Sequence, residues 1–143
     1  MTKIWNTLTF VCIFLQIVLT VYICINMSEI PIHWNIYGTI DRYASPWESL
    51  ILPIISASTT TLILWFQKHP QYCNFPRNFI DKEIAYKTMK ETLAFVGFSF
   101  NVFMLYLAIL ETNILNFSWV VITAISLSSI YVLIKYMCRL SKA

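Results

Sequence analysis

Charge is what this chain has least of. Only 12% of its 143 residues are Asp, Glu, Lys or Arg, against 58% hydrophobic residues, where a soluble domain carries about 25% charged residues. The scarcity points to lipid as the solvent. No charge falls in the middle of four apolar stretches, roughly Ile4 to Ile25, Pro46 to Phe66, Thr92 to Leu110 and Phe117 to Met137, which argues against an ion pump or a proton relay. The basic residues never form a run, so the formal net charge of +3 gives no reason to expect a nucleic-acid partner. Cysteine is missing from the segments that join the first stretch to the second and the third to the fourth. That excludes an exported disulfide there. Cys12, Cys24, Cys73 and Cys138 match no zinc spacing and read as small apolar residues, with no metal or cofactor implied. The first stretch is followed by no small-residue cleavage site, so it is expected to be retained as a helix and not removed as a signal peptide.

What is present is membrane-length sequence. Each stretch is close to the ~20 residues a helix needs to cross the hydrocarbon layer. The fold expected is an all-α integral membrane four-helix bundle, one domain over residues 1–143, with helices about 4–25, 46–66, 81–110 and 117–137. Nine of the ten basic residues lie at the N-terminus (Lys3), in the second connector and the start of the third helix (Lys68, Arg77, Lys82, Lys87, Lys90) or at the C-terminus (Lys135, Arg139, Lys142). Only Arg42 lies in the first connector. The positive-inside rule then places both termini and the second connector in the cytoplasm and the first connector outside.

That first connector concentrates the chemistry. Glu29 to Glu48 reads EIPIHWNIYGTIDRYASPWE. A structureless loop of this length is uncommon, so it is expected to be folded and to dip back into the outer leaflet, its backbone satisfied by protein or trapped water. Ser45, Pro46 and Glu48 resemble a capping box that opens the second helix, which makes Glu48 a cap and not a catalytic acid. Pro53 is expected to bend that helix, and Thr59, Thr60 and Thr61 to bond back onto it or across to a neighbour. Asp81 is the expected N-cap of a third helix about 30 residues and ~45 Å long, with Glu83 and Lys87 spaced as an ion pair on its exposed start.

At similar depth the four stretches carry Gln16, Ser56 or Ser58, Asn101, and Ser126 or Ser128. Such a layer either holds helices together by hydrogen bonds or lines a pathway. In the outer connector Gly38 permits a turn, and if the turn folds the two ends together, His33 meets Asp41. Such pairing orients the imidazole and raises its basicity. Three roles are open to His33, Asn35, Asp41 and Arg42. They tie the loop to itself; they give register to a recognition surface for an extracytoplasmic peptide, anchored by Trp34, Tyr37, Tyr43 and Trp47; or they form a metal or hydrolytic centre. The last is thinly supplied, because His69 lies on the cytoplasmic side by the charge distribution. Trp34, Tyr37 and Trp47 also suit an aromatic belt at the interface.

The run I-P-I-H-W-N-I-Y-G-T-I-D-R resembles the signature of the bacterial membrane domain of unknown function 1648, which forms the N-terminal part of SdpI-type immunity proteins. Asn74, Phe75 and Pro76 resemble that family's cytoplasmic N-Y-P. The resemblance implies a multi-pass bacterial plasma-membrane protein. It makes His33, Asn35, Gly38, Asp41 and Arg42 the outer signature, and Asn74 and Pro76 the inner one. In SdpI-type members it implies protection against an exported toxin peptide and capture of a cytoplasmic repressor; those members continue into further spans, whereas four are legible here. The function expected is therefore non-enzymatic and immunity- or receptor-like. A small transporter built on the polar layer and a metal-dependent enzyme at His33 are the alternatives.

Overall fold

The computed structural model describes residues 1–73 and 82–140. Four helices, α1 (Thr2–Asn26), α2 (Ile51–Lys68), α3 (Lys82–Glu111) and α4 (Trp119–Leu140), account for most of them. A 3₁₀ turn at Pro46–Leu50 leads into α2, and another at Pro70–Tyr72 follows it. Between α1 and α2 the chain forms two antiparallel strands, β1 (Ile30–Trp34) and β2 (Ile40–Ala44). All four helices are long and apolar enough to cross a membrane, and the chain is a multi-pass membrane protein.

The burial pattern is that of a protein whose solvent is lipid. The buried stripe of α1 is Thr9, Cys12, Ile13, Gln16, Thr20 and Ile23, at helical spacings of three and four. Phe10, Phe14, Ile17, Val18 and Val21 face outward instead. On α2 the inward residues are Pro53, Ser56, Thr60 and Gln67. On α3 they include Ala85, Thr88, Ala94, Gly97, Asn101 and Ala108. Small and polar side chains let membrane helices approach and bond, while bulky apolar ones meet the acyl chains. The trio α1, α2 and α3 forms the packed centre. α4 lies chiefly along α3, and only 6% of its most apolar stretch is buried.

Polar rungs join α1 to α2 along their length. At one end Asn6 and Gln67 exchange amide hydrogen bonds of 2.9 and 3.2 Å. At mid-height Ser56 Oγ donates to Gln16 Oε1 at 2.7 Å. Nearer the hairpin, Thr20 Oγ1 donates to the Ser49 carbonyl at 3.5 Å. Pro53 has no N–H to reach back four residues to that carbonyl, which the Ile51 N–H also serves. A threonine on the neighbouring helix thus adds a second donor to a backbone group in the membrane-spanning part of the chain.

The entry to α2 differs from the expected capping box. Ser45 makes no side-chain cap bond; its carbonyl accepts the Glu48 amide at 2.9 Å. The first turn is 3₁₀, so its i,i+3 backbone bonds satisfy groups that a cap side chain would otherwise serve. Ser49 Oγ closes the turn onto the Pro46 carbonyl at 2.7 Å. Asn74, Phe75, Pro76, Arg77, Asp81 and Lys142 lie outside the described residues.

Candidate functional site

The long connector is a β-hairpin. Ile30, Ile32 and Trp34 alternate along β1, and Ile40 and Ala44 on β2 face them across the ladder. Ile30 pairs with Ala44, Pro31 with Tyr43 and Trp34 with Ile40; the register shifts at His33, which is set against Arg42. Ile30 and Pro31 are fully buried and root the hairpin in the bundle.

Asn35 closes the tip. Its amide donates to the Thr39 carbonyl and its carbonyl accepts the Gly38 amide, both at 2.9 Å. Its side-chain Oδ1 accepts the Tyr37 amide at 2.9 Å and the Thr39 amide at 3.1 Å, and Nδ2 donates to Thr39 Oγ1. One short amide side chain thus replaces the ladder around a three-residue loop. Gly38 ends the turn with φ at +78°, the left-handed conformation that follows a type I turn in such hairpins.

The tip is held by the α3–α4 connection. Trp34 stacks on Phe117 with ring centroids 5.9 Å apart, and Phe117 meets Trp119 edge-on at 5.0 Å. Trp119 Nε1 donates to the Ile36 carbonyl at 2.8 Å. A Cβ on Gly38 would sit 3.4 Å from both the ring and the carbonyl of Phe117. Behind this contact the Ser118 amide donates to Tyr106 Oη at 3.0 Å, fixing the start of α4 to α3.

On the outer face of the hairpin His33 Nδ1 and Asp41 Oδ1 are 2.5 Å apart. Both side chains are solvated, at 63% and 45% exposure, so the pair orients the strands more than it stabilises the fold. Arg42 is exposed and makes no ion pair among the described residues. Ile36, Tyr37 and Trp47 stand 72%, 84% and 68% exposed, with Tyr43 half-exposed. Among the described residues no group of three or more His, Cys, Asp or Glu side chains is placed to hold a metal. His69 lies at the opposite end of the molecule, beyond the last turn of α2, its ring 4.8 Å from that of Trp65. Near it the Cys73 thiol is pushed up by burial.

The mid-depth layer joins α1, α2 and α3. Gln16 Nε2 donates to the Asn101 carbonyl at 3.2 Å, Ser56 donates to Gln16, and Asn101 Nδ2 bonds Thr60 Oγ1 at 3.1 Å and the Gly97 carbonyl at 2.9 Å. Ser56, and not Ser58, is the α2 member. Ser126 and Ser128 are exposed on α4, and Ser128 bonds within its own helix. The cavity beside Thr60 and Gly97 is about 10 Å³, room for about one water.

Sequence reasoning missed Thr39, Thr60 as a partner of Asn101, Phe117, Trp119 and Glu111. Glu111 ends α3 at 8% exposure with Oε2 receiving no hydrogen bond, and nothing in its sequence neighbourhood marks it as buried. Residues 11–57, running from α1 through the hairpin into α2, match the family described as Domain of unknown function (DUF1648). No curated protein and no solved structure matches the chain.

Proposed function

We propose that this chain, carrying the DUF1648 domain, is a non-enzymatic, immunity- or receptor-like protein of the bacterial plasma membrane. Its hairpin recognises a peptide on the extracytoplasmic side, with both termini in the cytoplasm. The observation that carries this reading is the exposure of Ile36, Tyr37 and Tyr43 on a hairpin whose tip is fixed in place by Phe117 and Trp119, with Trp47 exposed on the 3₁₀ turn that follows it. Large solvated apolar side chains held in a fixed arrangement are the anchors from which a recognition surface is built. The His33–Asp41 pair and the exposed Arg42 guanidinium supply adjacent polar groups that give a bound peptide its direction.

The transporter reading has less support. Three of its polar-layer hydrogen bonds run from helix to helix and one stays within α3, and beside the buried Asn101 Oδ1, which accepts no bond among the described residues, the adjoining cavity takes about one water molecule. The metal-enzyme reading rests on His33 and Asp41 alone.

The test is challenge with a panel of exported antibacterial peptides, using cells that express wild type, Asp41→Ala or Tyr37→Ala at matched membrane levels. Wild type is expected to protect against at least one peptide, and both variants to protect less. Wild-type expression that protects against none removes the immunity reading.

A further inference from the structure

At the end opposite the hairpin, a groove of about 560 Å³ runs between the first residues of α1 and the first three turns of α3. Its walls are Thr2, Lys82, Glu83, Tyr86, Lys87 and Lys90. Glu83, Tyr86, Lys87 and Lys90 follow one another at the i, i+3, i+4, i+7 spacing of a single helix face, and Lys82 flanks them. The three lysines are exposed. None of them makes an ion pair among the described residues. Among the described residues the groove therefore carries three ammonium groups and one carboxylate. It ends where the charged turns of α3 give way to the apolar segment that begins near Thr92.

We propose that this groove binds the headgroup of an anionic phospholipid. The charge on its walls is complementary to a phosphodiester. Its height along α3, next to the hydrocarbon-facing residues, leaves the acyl chains of such a lipid in the bilayer while the headgroup enters. Lysine suits the place, because its methylene stem lies along apolar surface and its ammonium reaches to headgroup level. Basic pockets between membrane helices take anionic headgroups in this way. A soluble phosphoester offers the same charge but gains nothing from the neighbouring bilayer, which is why the lipid is the occupant assigned.

The experiment uses the full chain in mild detergent. Phosphatidylglycerol and phosphatidylcholine of matched acyl length are titrated separately, and retained lipid is counted by native mass spectrometry. Wild type is expected to retain one phosphatidylglycerol with a preference of about tenfold or more. The triple variant Lys82→Gln, Lys87→Gln, Lys90→Gln is expected to lose that preference while its far-ultraviolet circular dichroism is unchanged. The control Lys68→Gln, Lys135→Gln, at the same end but outside the groove, is expected to keep it. Four results each overturn the proposal. Wild type retains both lipids equally; the triple variant keeps its preference; the control loses as much as the triple variant, which means diffuse surface charge; or glycerol 3-phosphate displaces the lipid at equal concentration, which means a site for a soluble phosphate.

Discussion

Replacing Gly38 by alanine isolates what the hairpin turn demands of the backbone. The φ of +78° at this position costs a residue with a Cβ about 1–2 kcal/mol. Part of that is offset, because alanine also restricts the unfolded chain by about 0.4–1 kcal/mol relative to glycine. Sterics add little: the new Cβ would lie 3.4 Å from Phe117, an ordinary contact. The net penalty is therefore about 1 kcal/mol, confined to the turn, and corresponds to about fivefold more frequent opening. Amide hydrogen exchange in micelles reads it directly at Asn35, Gly38 and Thr39, whose N–H groups close the tip. Gly38→Ala is expected to exchange about fivefold faster at those amides, with α1 and α3 amides unchanged. Gly38→Asn should fall between, since asparagine tolerates the left-handed region better than alanine. Alanine and wild type exchanging alike at the tip would refute the requirement for positive φ. Faster exchange spread evenly through the helices would show that the turn is not an independent unit.

Two further substitutions probe the bundle. Gln16→Leu removes one bond accepted from Ser56 and one donated to Asn101, and at about 0.6 kcal/mol per interhelical bond, with a ceiling near 1.7, it should cost about 1–2 kcal/mol in detergent unfolding. An unchanged unfolding midpoint would mean that the layer does not hold the helices together and would return weight to the pathway reading. Glu111→Gln removes a buried carboxylate that has an unpartnered oxygen at the C-terminal end of a helix, where negative charge is disfavoured by about 0.3–1 kcal/mol. It should raise thermal stability slightly, and a drop of several degrees would reveal a partner for that carboxylate.

The four helices were legible because each is a membrane-length apolar run bounded by charge or proline, and their bounds moved by only a few residues. The meeting of His33 and Asp41 was also legible, since Gly38 between them implied a reversal. The strands were not recognised, although Ile30, Ile32 and Trp34 alternate and Asn35 stands three residues before Gly38, the spacing of a turn. Five-residue strands in so apolar a chain are hidden by a composition that favours helix everywhere. The capping box misled because the sequence pattern says which groups are available, while the 3₁₀ turn had already satisfied them through Glu48 and Ser45 backbone atoms. The seat of the hairpin on Phe117 and Trp119 joins residues more than eighty positions apart, and no local pattern reports such a contact.

The placement of the hairpin outside the cell carries everything said about its ligand. Its direct test is impermeant maleimide labelling of intact cells, with Cys12, Cys24, Cys73 and Cys138 replaced and a single cysteine introduced at Tyr37 or at Lys87. Labelling is expected at position 37 in intact cells, and at position 87 only after permeabilisation. Protection of position 37 with labelling of position 87 from outside would reverse the topology and contradict the proposed recognition of an extracytoplasmic peptide.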